Sequence, residues 1–185
     1  MQIPRGWTNA DAVVATREFL AARPPRRAAT RALIQELLTP DPYTRRCAAD
    51  LALRISAREP GVLKAYAGVT IDLVGELPLN EWQARGYLTL ASALNATTAA
   101  ERMRLVPVAR RMIDDERIAL RAIALEAFAL LALAEPALRE EAMLLMEHYR
   151  VEGCSAMRSR AKRMLQALMK AEQSTRVKRA AGHRN

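Results

Sequence analysis

The chain has 185 residues, a net charge of +9, 51% hydrophobic residues and only 4% aromatics. That length supports one domain with a sizeable core, and a composition led by alanine, leucine and arginine favours helix over strand. No apolar run approaches the ~20 residues of a membrane span. The two histidines and two cysteines, without CxxC or HxxxH spacing, leave no zinc site, and no cofactor is expected.

Residues 9–23 read as a first amphipathic helix, with Val13, Val14, Phe19 and Leu20 inside, either Thr8 or Asn9 as cap, and Pro24-Pro25 as the stop. Four helical pairs follow. The first covers 26–38 and 42–58, its second helix opened by Asp41-Pro42, an aspartate cap before a proline in the first turn. The second covers 61–76 and 81–95, entered through Pro60 and capped at Asn80. The third covers 98–113 and 116–134, capped at Thr97 or Thr98 and at Asp115. The fourth covers 136–149 and 155–172, entered at Pro136 and broken at Gly153. Residues 173–185 are basic, lack apolar periodicity and are expected to be unstructured.

An arginine recurs near the start of the second helices, at Arg46, Arg85, Arg121 and Arg158. A period of 36–39 residues is the mark of stacked helical pairs, none of which can bury its apolar face alone. The stretch Leu105–Leu130 combines a proline in the first helix, Pro107, an acid at the turn, Asp115, and an arginine early in the second helix, Arg121. Leu33–Ile55 repeats it with Asp41 and Arg46 or Arg45. Asn80 with Arg85, and Ser155 with Arg158 or Arg160, are weaker copies. This pattern resembles the HEAT repeat over residues 25–172. The resemblance implies an all-α, right-handed α-α superhelix of about four pairs plus an N-terminal helix, forming a single domain over 1–172. It also implies that Asp41, Arg46, Arg85, Asp115 and Arg121 form a ladder of turn acids and arginines between layers, and that the second helices line the concave face.

Counted from the ladder arginine, the shared face of the second helices carries Tyr43, Asp50 and Arg54, then Trp82 and Thr89, then Ile118 and Leu125. These are the candidate contacts for a protein partner, with Tyr43 and Trp82 as aromatic anchors. The helix 116–134 is apolar almost all round, so it is either the covered central helix or an open seat for a partner helix. Met143, Met146, Met157, Met164 and Met169 are either the core of a terminal pair or an adaptable binding surface.

The charge is uneven. Residues 1–31 hold six arginines against Asp11 and Glu18, and residues 150–185 hold ten basic groups against Glu152 and Glu172. The body between them has 13 basic and 16 acidic residues. The basic end makes Arg158, Arg160, Lys162, Arg163, Arg176, Lys178 and Arg179 candidates for nucleic-acid contact, the alternative being a solubilising end. No phosphate-binding loop, serine elbow or HExxH helix occurs, so no catalytic residue is assigned. The HEAT-like glycosylases of alkylated purines are the one enzymatic alternative, with Trp82, Tyr43 and Asp50 in their aromatic and acidic roles. The expectation is a noncatalytic, cytoplasmic adaptor that binds a protein, with nucleic acid as alternative partner and neither membrane nor small-molecule cofactor. Two distant cysteines without a secretory leader at 1–9 favour a reducing compartment.

Overall fold

The computed structural model describes residues 3–22 and 27–182, with side chains through Arg176. Among them the chain is all-helical: nine α-helices and three single 3-10 turns. These are α1 (Asn9–Ala21), α2 (Arg27–Leu37), α3 (Pro42–Arg58), α4 (Ala67–Glu76), α5 (Trp82–Asn95), α6 (Ala99–Ile113), α7 (Ile118–Ala134), α8 (Arg139–Glu152) and α9 (Ser155–Gly182). They fall into two compact units, Met1–Val108 and Ala109–Asn185, divided inside α6.

Local chemistry sets the helix starts. Thr8 caps α1 in a reciprocal box with Asp11: the Asp11 N–H reaches Thr8 Oγ1 at 3.3 Å and the Thr8 N–H reaches Asp11 Oδ2 at 2.7 Å. Asp41 caps α3, accepting from the Thr44 N–H at 2.9 Å and its hydroxyl at 2.6 Å, with Pro42 in the first turn. Thr98 and Glu101 form the same reciprocal pair at the start of α6. These contacts favour the ionised acids. Thr8, Thr44 and the Thr97–Thr98 amides hold the carboxyls of Asp11, Asp41 and Glu101 below their ordinary range.

In the first unit α3 is central, packing on α1, α2 and α5, while α4 packs on α5. On α2, Thr30, Leu33, Ile34 and Leu37 give the i, i+3, i+4, i+7 buried stripe of a one-sided helix. On α3, Cys47, Ala48, Ala49, Leu51, Ala52, Ile55 and Ser56 are all buried, because neighbours cover it on several sides. A polar knot closes this core. Asn95, 2% exposed at the end of α5, accepts from the Leu63 N–H and donates to Ser56 Oγ and the Ala91 carbonyl, each at 2.7 Å. Gly61, at φ +82°, makes the turn that delivers Leu63, and its own N–H bonds the Leu94 carbonyl at 3.1 Å.

In the second unit α7, α8 and α9 pack on one another. Ten residues of α7 are buried. Met146, Met157 and Met164 lie in this core, whereas Met169 is exposed. Gly153 permits the tight α8–α9 turn, since a Cβ there would collide with the Tyr149 carbonyl and come within 2.9 Å of the Met157 Cβ.

The arginine–acid ladder expected from the sequence is replaced by other pairs. Asp41 is occupied as a cap, and Asp115 binds Arg117 rather than Arg121. Arg46 stacks over Tyr43 at 5.2 Å, and Arg121 stacks over Tyr149 at 5.4 Å while donating to its hydroxyl at 3.1 Å. Arg85 is half-buried on α5 and Arg158 is exposed. Other ion pairs join separate elements: Arg45–Glu81, Arg104–Asp72, Arg110–Glu141, Arg139–Glu172 and Glu126 with both Arg160 and Arg163. Their partners lie 31–37 residues apart in sequence.

A second arginine recurrence lies in the first helices. Arg102 reaches back to the Thr97 and Ala96 carbonyls at 2.9 and 3.3 Å, just past the end of α5. Arg139, 37 positions on, is buried and reaches the Leu133 and Ala132 carbonyls of α7 at 3.2 and 3.3 Å. Each places a cation where the helix dipole and the unmatched carbonyls favour one. Arg139 also holds Thr175 at 2.8 Å, and α9 runs on to Gly182. Residues 173–182 are therefore helical rather than unstructured, and 183–185 lie outside the described residues.

Candidate functional site

The sequence-derived contact face divides when placed in the structure. Thr89 and Leu125 are each 0% exposed and cannot touch a partner. Thr89 turns inward to bond the Arg85 carbonyl at 2.7 Å, and Leu125 belongs to the α7 core. Ile118, at the first residue of α7, is 54% exposed, and Trp82, at the first residue of α5, is half-buried.

Tyr43, Asp50 and Arg54 do come together, on the side of α3 that meets the N-terminal segment. Arg54 Nε donates to Asp50 at 2.8 Å and its Nη2 to Asn9 Oδ1 at 2.7 Å. The Tyr43 hydroxyl donates to the Trp7 carbonyl at 3.4 Å. A hollow of about 200 Å³ remains between Trp7–Asn9 and Arg46, Asp50, Arg54 and Tyr87. A second hollow of about 210 Å³ lies between Tyr43 and Arg46 on α3 and Asn80, Glu81, Gln83 and Ala84 at the start of α5; Trp82 does not line it. Arg46 lines both hollows, and the Tyr43 ring on which it stacks lines the second.

Asp50 is held by Arg54. Burial, the largest influence on it, pushes the Cys47 thiol up, so it stays protonated and is a poor nucleophile. Trp7 Nε1 is buried without a hydrogen-bond partner among the described residues. Sequence reasoning missed Trp7, Tyr87 and Gln83 and gave Arg46 a purely structural role. A tryptophan directly ahead of the Thr8 capping box was the available signal, in a chain with only two.

The sequence-derived basic surface is also divided. Arg160 donates to Glu126 at 3.0 Å, Arg163 pairs with the other Glu126 oxygen, and Arg176 pairs with Glu172 at 3.3 Å. The Arg176 contact leads those holding the Glu172 carboxyl below its ordinary range. Arg158 and Lys162 face solvent, while the side chains of Lys178 and Arg179 lie outside the described residues.

A larger, open hollow of about 950 Å³ lies between α2 and residues 59–66. Arg27, Arg31, Lys64, Tyr66, Ala32 and Val62 are among the residues that line it, and it contains none of the sequence-derived residues. Among the described residues no group of three or more His, Cys, Asp or Glu side chains could hold a metal, and no helix is long and apolar enough to cross a membrane. Comparison with family models, curated proteins and solved structures found no match to this chain.

Proposed function

We propose that this chain is a noncatalytic adaptor of HEAT-like helical pairs, stacked as a right-handed superhelix, that holds a protein segment in a groove along α3 and α5. The observation that carries the proposal is the surroundings of Arg46. An arginine stacked on an aromatic ring lines two neighbouring hollows, the first of which is also lined by Trp7 and Tyr87. Arginine and aromatic side chains in partly desolvated hollows dominate binding energy at protein interfaces. A carboxylate or backbone carbonyl of the bound segment meets the Arg46 charge. We place the protein in the cytoplasm, in keeping with its free cysteines, Cys47 and Cys154.

A benzophenone side chain in place of Gln83, on the wall of the second hollow, tests this. Irradiation in cell extract is expected to give a discrete protein adduct that disappears with Arg46→Ala. An adduct pattern equal to that from the same group at exposed Val69, or one indifferent to Arg46→Ala, would overturn the proposal.

A further inference from the structure

We infer that the solvent side of α9 is a docking surface for a nucleic-acid duplex, gripped through its phosphates. Ser155, Arg158, Ser159, Lys162, Gln166 and Lys170 are all exposed. At 3.6 residues per turn they fall on one side of the helix. From Ser155 to Ala171 the helix contains no acidic residue. The structure also separates the cations that are already used from those that are not. Glu126 pairs with both Arg160 and Arg163, and Glu172 holds Arg176. Arg158, Lys162 and Lys170 have no carboxylate at ion-pair distance among the described residues.

The chemistry of this stripe favours a duplex over other polyanions. Membrane-surface helices insert an apolar face. The apolar face of α9, made by Met157, Ala161, Met164, Leu165 and Leu168, is already buried and packs against α7 and α8. Among the described side chains of the exposed side Met169 is the one large apolar residue, and none is an aromatic that could anchor an acidic protein. Cations interspersed with serine and glutamine are the usual donors to phosphate oxygens. From Arg158 to Lys170 the helix rises about 18 Å, a length over which a duplex presents roughly ten phosphate charges.

The probe is a fluorescein-labelled, random-sequence 20-base-pair DNA duplex, titrated with the full chain by anisotropy. Three phosphate contacts predict a slope of about −2.7 in log K against log salt, which is about 40-fold weaker binding at 200 mM than at 50 mM salt. Lys162→Gln is expected to reduce the slope by about 0.9, and the triple variant Arg158→Gln, Lys162→Gln, Lys170→Gln to weaken binding at 50 mM salt by about tenfold or more. All three side chains are exposed, so circular dichroism should stay unchanged. Arg111→Gln, an exposed arginine on α6, should leave the slope as it is. The inference is overturned if the triple variant binds like the wild type, or if Arg111→Gln lowers the slope as much as Lys162→Gln does. It is equally overturned by tighter binding to phosphatidylserine vesicles than to the duplex, or by no duplex binding at 50 mM salt.

Discussion

Replacing Asn95 with alanine should be among the most damaging single changes in the first unit. Asn95 makes three hydrogen bonds of 2.7 Å that join the end of α5 to Ser56 on α3 and to the Leu63 amide beyond the Gly61 turn. All three residues are buried: Asn95 at 2%, Ser56 at 0% and Leu63 at 2% exposure. The substitution leaves the Leu63 N–H without an acceptor in a dry site, a cost of about 1–3 kcal/mol, and removes the bond to Ser56, worth about 1 kcal/mol. The Ala91 carbonyl, inside α5, has its helical bond to fall back on. The expected loss is roughly 2–4 kcal/mol, or on the order of 10–20 °C in Tm for a unit of this size. Both tryptophans, Trp7 and Trp82, lie in this unit, so urea unfolding followed by tryptophan fluorescence reports on it directly. Ser56→Ala combined with Asn95→Ala should recover about 1 kcal/mol relative to the sum of the single changes. A loss below about 1 kcal/mol for Asn95→Ala, or strict additivity with Ser56→Ala, would refute the polar knot as a stabilising element.

Arg139→Met should destabilise the second unit by about 2–4 kcal/mol, read by thermal circular dichroism, because it strips the buried donor from the Ala132 and Leu133 carbonyls and from Thr175. Glu126→Gln should cost about 1 kcal/mol or less, since Arg160 and especially Arg163 are solvent-screened. The same change frees both arginines, so duplex affinity should rise and the salt slope steepen by up to about 1.8. Acid should weaken the fold through Asp11, Asp41 and Glu101, whose folded carboxyls titrate below the ordinary values of 3.8 for aspartate and 4.5 for glutamate. Just below those values the unfolded chain binds protons that the folded chain does not, so their contribution is complete at higher pH and drains as pH falls through the folded values. The urea midpoint of a variant carrying Asp11→Asn, Asp41→Asn and Glu101→Gln should therefore fall less steeply than that of the wild type between about pH 5 and pH 2.5. Gly153→Ala should lower Tm measurably, because its Cβ meets the Tyr149 carbonyl and the Met157 side chain.

Several helix ends were readable from the sequence because they are written in local chemistry, but the caps expected at Asn80 and Asp115 do not form: α5 and α7 start at Trp82 and Ile118 without a side-chain cap. Asp41-Pro42 starts α3, and the breaks at Gly153 and ahead of Pro136 fall where the pattern puts them. Side-chain partners were harder to read, because they depend on helix rotation and on contacts a period away. Arg45 and Arg46 are adjacent in sequence but about 100° apart around α3, and only Arg45 points toward Glu81. The same rotation buries Thr89 and Leu125 on a face expected to be open. The helical course of residues 173–182 follows a contact invisible locally, since Thr175 is held by Arg139 from 36 residues away. The groove was half legible. Tyr43, Asp50 and Arg54 share one face of α3, but nothing local to α3 indicates that Trp7 and Asn9 close over it.

The most direct test of the central claim is the affinity of the protein segment captured at position 83, measured by calorimetry for the wild type and for Arg46→Ala with Tyr43→Ala. Loss of Arg46, which lines both hollows, and of the Tyr43 ring stacked on it should weaken binding by about tenfold or more, equivalent to about 1.4 kcal/mol. Equal affinities, with both proteins folded, would contradict the assignment of the α3–α5 groove as the binding site.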